Sequence, residues 1–343
     1  MIKLNFRPES AFASKKAKKY LENKDPKDIK TITIIRHAMI GDFMNIRPFL
    51  IGAREFFPNA KITLSVNRSA MYGIPHDLID ATHIMDKEYP NDKTKKTPFL
   101  YRLKQAKELP PQDIIFDLTD SSMTLFLTII AKAKLKIGYS YRPIRRMFYD
   151  ISILRSDFVL EADSVQHMLN ILGYKNSSPL RYGFEAKYPK NITKQIVYFA
   201  GASTKHKCWE YSKFTSLIDL MANKYNNYQH IILQGIKEDE KFLEIYEPLQ
   251  KRPNITLQSP MPLDDVMQFL ANSSCVISND TGIRNMAIAV ETPTVGIFFF
   301  TGAFRYWPRD GKHSCVFNLE YSSPSVDEVY LATKDLMDTI YGK

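Results

Sequence analysis

Three cysteines in 343 residues, Cys208, Cys275 and Cys315, supply neither an even disulfide framework nor the close spacing of a metal-ligand set. A reducing compartment is the expected setting. No Asp-x-Asp pair ends a strand-like run and no His/Cys ligand spacing occurs, so no metal is expected. Nowhere does an apolar run approach the roughly 18 residues that cross a bilayer. The start, Met1-Ile-Lys-Leu-Asn-Phe-Arg7, lacks the apolar stretch of an export signal, which leaves the cytoplasm as the expected location. A nicotinamide dehydrogenase is excluded, because no Gly-x-Gly-x-x-Gly follows the strand-like runs at Thr31 or Gln195. Recognition-helix patterns, zinc knuckles and aromatic RNA-binding signatures are missing too, so nucleic acid is not an expected partner. Repeats of solenoid period and low-complexity tracts are also lacking.

What is present is an ordinary globular composition, 44% hydrophobic and 24% charged, in a chain long enough for two domains. The formal net charge of +10 and a pI near 9.2 favour an anionic partner. Lysines 15, 16, 18 and 19 lie in a polar N-terminal stretch, and lysines 93, 95 and 96 in a loop. Lys132, Lys134, Lys136, Arg142, Arg145 and Arg146 surround a turn. Ile- and Val-rich runs at 31–36, 61–66, 84–85 and 114–118 alternate with helical patterns at 45–57, 99–108 and 122–133. The rear half repeats this, with strands expected at 195–200, 230–234, 254–257, 275–278 and 294–299 and helices at 211–224, 237–249, 262–272 and 282–290. The pattern predicts an α/β protein of two Rossmann-like domains with parallel sheets facing a central cleft. We place a basic extension at 1–27, domains at 28–180 and 190–325, and a C-terminal helix at 326–343 that can return to the front domain.

Two loops share one grammar. Ile277-Ser-Asn-Asp-Thr-Gly-Ile-Arg-Asn-Met-Ala-Ile-Ala289 is an apolar run, an acidic turn and a helix start, where free backbone N–H groups and the helix dipole receive a phosphate. Near the front, Thr31-Ile-Thr-Ile-Ile-Arg36 turns through Gly41-Asp42 into a helix. There Gly41 can adopt positive φ at no cost, and Asp42 sits at the helix start. Alone, Asp42 reads as a helix cap. The occurrence of both loops in one chain favours a catalytic role.

These segments resemble glycosyltransferase family 9, the lipopolysaccharide heptosyltransferases, from about Lys30 to Val316. The front resemblance rests on Gly41-Asp42, Arg54-Glu-Phe-Phe-Pro-Asn-Ala-Lys-Ile-Thr63, Phe116-Asp-Leu-Thr119, Lys136-Ile-Gly138 and His167-Met-Leu-Asn-Ile-Leu-Gly173. The stronger rear one rests on Gly201-Ala-Ser-Thr-Lys-His-Lys-Cys-Trp209, Gln234-Gly235 with Glu238, Met261-Pro-Leu-Asp-Asp265 and Asn279-Asp-Thr-Gly282.

The resemblance implies a GT-B fold and an inverting, metal-independent transfer of L-glycero-D-manno-heptose from its ADP derivative to the inner core of lipopolysaccharide, at a Kdo or heptose. No cofactor is implied. Asp42 matches the family's catalytic base, and Lys207, with the Ser203 and Thr204 hydroxyls, would hold the diphosphate. Asp280, Thr281 and Gly282 form the second diphosphate loop, in which the acid itself caps the helix or binds a sugar hydroxyl. Glu238 would accept from the ribose, with Asp239 and Glu240 as equal candidates, and the backbone at Met261 would face the base. Asn285 stands where the family carries histidine; it can donate a hydrogen bond but supplies no positive charge. Gly41, Arg142, Arg145 and Arg146 would face an anionic lipid A–Kdo acceptor, and the protein would touch the cytoplasmic face of the inner membrane. A relative using another nucleotide sugar, or one that binds without transfer, is the alternative.

Overall fold

The computed structural model describes residues 1–7, 9–140 and 143–342. The chain divides into two compact units, Met1–Ser156 with Glu161–Arg181, and Asp157–Leu160 with Tyr182–Lys343.

The first unit holds β1 (Ala11–Ala13), β2 (Thr31–Ile35), β3 (Lys61–Val66), β4 (Ala81–Ile84), a hairpin of β5 (Glu88–Tyr89) and β6 (Asp92–Lys96), β7 (Gln112–Asp117), β8 (Ala133–Tyr139) and β9 (Ile151–Ile153). Its helices are α1 (Lys15–Leu21), α2 (Ile40–Phe56), α3 (Phe99–Glu108), α4 (Ser122–Ile130) and α5 (Glu161–Asn170). Seven strands form one sheet in the order β1-β9-β8-β7-β2-β3-β4, parallel except that β1 runs against β9. Alternation along β2 separates two cores. Ile32 and Ile34 join Phe43, Ile46, Phe49 and Leu50 of α2 on one face, whereas Ile35 joins Met85, Ile115 and Leu127 on the other. Each such side chain, fully buried, contributes about 1.5–3 kcal/mol.

Three expectations are corrected here. Residues 1–27 are no separate extension, because β1 completes the sheet edge and Ala11, Ala17 and Leu21 enter the core. Lys132, Lys134 and Lys136 do not ring a turn; the last two alternate along β8, whose Leu135 and Ile137 point inward. Gly41 lies inside α2, and the glycine that needs the left-handed region nearby is Gly73, at φ +86.

In the second unit β10 (Gln195–Phe199), β11 (Gln229–Leu233), β12 (Ile255–Gln258), β13 (Cys275–Asn279), β14 (Thr294–Phe298) and β15 (His313–Phe317) form a parallel sheet ordered β12-β11-β10-β13-β14-β15. Around it pack α6 (Tyr211–Lys224), α7 (Leu243–Tyr246), α8 (Leu263–Ala271), α9 (Gly282–Ala289) and α10 (Val326–Tyr341). The expected helix at 237–249 is broken. Phe242 takes φ +51 so that its buried ring can pack edge-on to Phe199 and Tyr211, leaving short turns on either side. The C-terminal helix is anchored within the second unit. Asp338 accepts from the Tyr225 hydroxyl at 3.1 Å, and Tyr341 donates to the Ser274 carbonyl at 2.8 Å.

In each sheet the strand order reverses beside the first parallel strand, between β2 and β7 and between β10 and β13. Loops leaving the carboxyl ends of strands at such a point frame the crevice where open α/β sheets bind ligands. Both loops singled out in the sequence leave from these points.

Candidate functional site

At the end of β2 the chain buries a cation under the loop it is about to form. Arg36, with its side chain only 4% exposed, donates to Glu161 Oε1 at 3.0 Å, to the Leu118 carbonyl, and through Nη2 to Asp42 Oδ1 at 2.7 Å. Burial opposes the guanidinium charge, but Asp42 and Glu161 outweigh it and hold Arg36 protonated above its ordinary value. Glu161 is also held by Arg155 at 2.7 Å. The second oxygen of Asp42 accepts the Met39 N–H at 3.2 Å, so this acid does close its own helix start. It is also 29% exposed and rigidly aimed, as a base requires.

Beside this loop runs a chain of neutral histidines. His83 Nε2 lies 2.9 Å from the Gln105 carbonyl and must carry its proton; Nδ1 therefore accepts from Ser65 Oγ at 3.0 Å. Ser65 Oγ in turn accepts from His37 Nε2 at 3.2 Å. Burial, then His83, pushes His37 down to about 3, and burial lowers His83 as well.

A cavity of about 550 Å³ lies at the rear, and one of about 510 Å³ at the front, lined by Asn67, Arg68, Tyr72, Asp86 and Tyr89, was not foreseen. Gly73, next in sequence to the lining residue Tyr72, lies against the first residue of α2: a Cβ there would lie 2.5 Å from Ile40 Cγ1. Asp86, 1% exposed, holds Arg68 through Nε at 3.0 Å and Nη2 at 3.1 Å. The one available signal was position, since Asn67 and Arg68 directly follow β3. The arginines expected to face an acceptor are arranged differently. Arg142 lies outside the described residues, Arg145 is buried in an ion pair with Asp120, and the Arg146 guanidinium lies 3.7 Å over the Phe12 ring.

At the rear one buried amide joins the two loops. Asn279 Oδ1 accepts the Trp209 N–H at 3.1 Å, while Nδ2 donates to the Ala200 carbonyl at 2.7 Å. That staple brings Lys207 Nζ within 2.8 Å of Asp280 Oδ2, across 73 residues of sequence. Asp280 also accepts from Thr301 Oγ1 at 2.6 Å. Thus Asp280 neither caps α9 nor stands free; it positions the lysine. Thr281 precedes α9 in extended conformation, and its side chain makes no cap hydrogen bond to the first-turn N–H groups. Asn285 is buried one turn in. Arg284 does not replace the missing charge. It is wholly buried, donating to the Tyr306 carbonyl at 2.6 Å and lying over Phe298, with burial pulling it down to about 10.

The rear cavity lies between Gly201–Lys205 and Lys237–Glu244, and Ser203, Thr204 and Glu238 line it. Among the three candidate acids the structure separates the roles. Glu238 and Asp239 are exposed, whereas Glu240 is buried against Gly235, where a Cβ would lie 2.1 Å from its carboxylate, and pairs with Lys237 at 3.1 Å. Met261, half-buried between β12 and α8, is not among the residues lining this cavity. Among the described residues no cluster of His, Cys, Asp or Glu is arranged to hold a metal, and no helix is long and apolar enough to cross a membrane.

The profile of glycosyltransferase family 9 (heptosyltransferase) matches residues 102–334. Lipopolysaccharide heptosyltransferase 3 of Escherichia coli is 22% identical over 287 residues, covering 75% of this chain and 80% of its own. Among solved structures, E. coli heptosyltransferase WaaC with ADP superposes with a TM-score of 0.71 at 17% identity, over 89% of this chain and 99% of that one. The same enzyme with ADP-2-deoxy-2-fluoro heptose gives 0.70, also at 17% identity, over 90% of this chain and 99% of that one. These likenesses establish the fold as GT-B.

Proposed function

The chain belongs to glycosyltransferase family 9, and from that premise we propose that it moves L-glycero-D-manno-heptose from its ADP derivative to the inner core of lipopolysaccharide, with inversion. Asp42 takes the proton of the acceptor hydroxyl, the freed oxygen bonds to the anomeric carbon, and the bond to the diphosphate breaks with its electron pair leaving on ADP. Lys207, the first-turn N–H groups of α9, and the Ser203 and Thr204 hydroxyls receive that leaving charge without a metal. Glu238 accepts from the ribose.

The observation that carries the reading is the Lys207–Asp280 pair beside the start of α9, which the Thr281 side chain leaves uncapped. Asp280 fixes the ammonium by one contact, leaving two N–H donors for phosphate oxygens. On the acceptor side we assign the cavity beside α2, where Arg68 offers its remaining guanidinium N–H groups to a carboxylate and the exposed rings of Tyr72 and Tyr89 offer apolar faces to a sugar. The runner-up, another nucleotide sugar, rests on Asn285 standing where the family carries histidine. Product analysis with ADP-heptose and a Kdo-bearing lipid A acceptor tests the assignment. Acceptor-dependent ADP release with a heptosylated product is expected. Release from a UDP- or GDP-sugar but not from ADP-heptose would transfer the assignment to the runner-up.

A further inference from the structure

A second cavity of about 550 Å³ lies in the first unit, formed by α1, the end of α4, the start of β8 and the turn at Pro143–Phe148. Three ammonium groups border it: Lys16, Lys132 and Lys136. Among the described residues that line it, one carboxylate faces them. Asp150 Oδ2 lies 3.0 Å from Lys16 Nζ and also accepts the Lys136 backbone N–H at 2.9 Å. Lys136 Nζ reaches only the Ile129 carbonyl, at 3.2 Å, and Lys132 has no ion-pair partner among the described residues. Lys134 is withdrawn from the group by Asp113 at 2.7 Å. Burial, and then Lys16, push the Lys136 ammonium below its ordinary value, as expected of a cluster with too little negative charge.

Exposed apolar side chains lie beside the lysines: Ile129, Met147 and Phe148 line the cavity, and Ile144 belongs to the same turn as the last two. Met147 is 80% exposed, Ile144 66%, Ile129 42% and Phe148 39%, all within one turn and one helix end. Scattered exposed apolar residues need no explanation, but four grouped beside three lysines form a surface with two chemistries. A soluble phosphate would use the lysines and leave the rim wet. A phospholipid uses both, with its phosphate on the ammonium groups and its glycerol and upper acyl region against the thioether and rings.

We propose that this cavity seats the phosphate of an anionic phospholipid and that Met147, Ile144 and Phe148 enter the bilayer surface beside it, docking the first unit on a membrane. The inference does not depend on which nucleotide sugar the second unit binds.

The test is co-sedimentation of the full chain with vesicles of phosphatidylglycerol and phosphatidylethanolamine, and with vesicles of phosphatidylcholine. Binding to the first and not the second is expected. At about fivefold per lysine, Lys16→Gln/Lys132→Gln/Lys136→Gln should partition roughly 100-fold less. A control of equal charge change, Lys15→Gln/Lys18→Gln/Lys19→Gln, should keep most of the binding. Met147→Asp, which leaves every lysine in place, should lose about tenfold. ADP affinity, measured on the same proteins, should stay at the wild-type value and reports separately on the donor assignment. Equal losses in the two triple variants would overturn the site in favour of diffuse attraction. Wild-type partitioning of Met147→Asp, or full displacement of protein from vesicles by millimolar inorganic phosphate, would overturn the lipid as occupant.

Discussion

The two strand-to-helix loops have nearly the same grammar in sequence and opposite electrostatics in space. The front loop occupies its own helix start: Asp42 accepts the Met39 N–H and is gripped from below by buried Arg36, itself tied through Glu161 to Arg155. At the rear the acid turns aside to hold Lys207 and Thr301, and the side chain at the N-cap, Thr281, does not cap α9. A helix start that carries its own carboxylate cannot take an external anion, but it presents a rigid base. One with unspent N–H groups is suited to a diphosphate. A Gly-Asp or Asp-Thr-Gly string alone does not say which of these it becomes; the partner decides, a buried arginine in one case and a partly exposed lysine in the other.

The largest effect should come from removing the front acid. Asp42→Ala is expected to lower kcat by about 10²–10⁴-fold with ADP affinity unchanged, as steady-state kinetics and titration calorimetry would record. Lost thermal stability with undiminished turnover per folded molecule would reduce Asp42 to a cap. Arg36→Leu should next cost about 3–5 kcal/mol of unfolding free energy in urea, because it leaves buried carboxylate charge uncompensated. A smaller loss would show that the front network is dispensable and erase the contrast between the loops.

Lys207→Gln should weaken ADP binding by about 10–100-fold, the worth of one charge-assisted contact to phosphate, while leaving stability nearly intact. The same Kd as wild type would mean that the N–H groups of α9 suffice alone.

The smallest effect is a pH slope. Burial holds His37 near about 3, and His230 and His313 near about 4, against an ordinary 6.5. A histidine that resists protonation only when folded contributes stability that is complete above 6.5 and is lost as pH falls toward the folded value. Melting temperature should therefore decline between pH 7 and 4, and less steeply in His230→Phe, which removes a hydrogen bond from Tyr198 but also a titrating group. An unchanged slope would show that carboxylates alone set the acid limb.

The sequence made some of this legible and hid the rest for physical reasons. Ile- and Val-bearing runs marked β2, β3, β10 and β13, because strands covered on both faces are mostly apolar. By contrast β1 is three residues of Ala-Phe-Ala, and β8 alternates lysine with apolar residues, so its charges dominated the reading. Glu238 to Leu249 carries helical spacing that Phe242 overrides by packing its ring. Asp42 and the α9 loop were singled out from their local setting, and Lys207 from the family resemblance. What each acid touches was not, since Arg36–Glu161 spans 125 residues and Lys207–Asp280 spans 73. The Arg68–Asp86 pair was not anticipated, because an arginine after a strand carries no signal until Asp86 folds beneath it.

The central claim, that the front loop supplies the base and the rear loop holds the donor, is tested most directly by a double-variant cycle of Asp42→Ala and Lys207→Gln with ADP binding measured on all four proteins. Independent roles require that ADP affinity fall only where Lys207 is replaced and that the two losses in kcat/KM multiply in the double variant. If Asp42→Ala weakens ADP as much as Lys207→Gln does, or if the double variant is no worse than the poorer single one, the division of labour is contradicted.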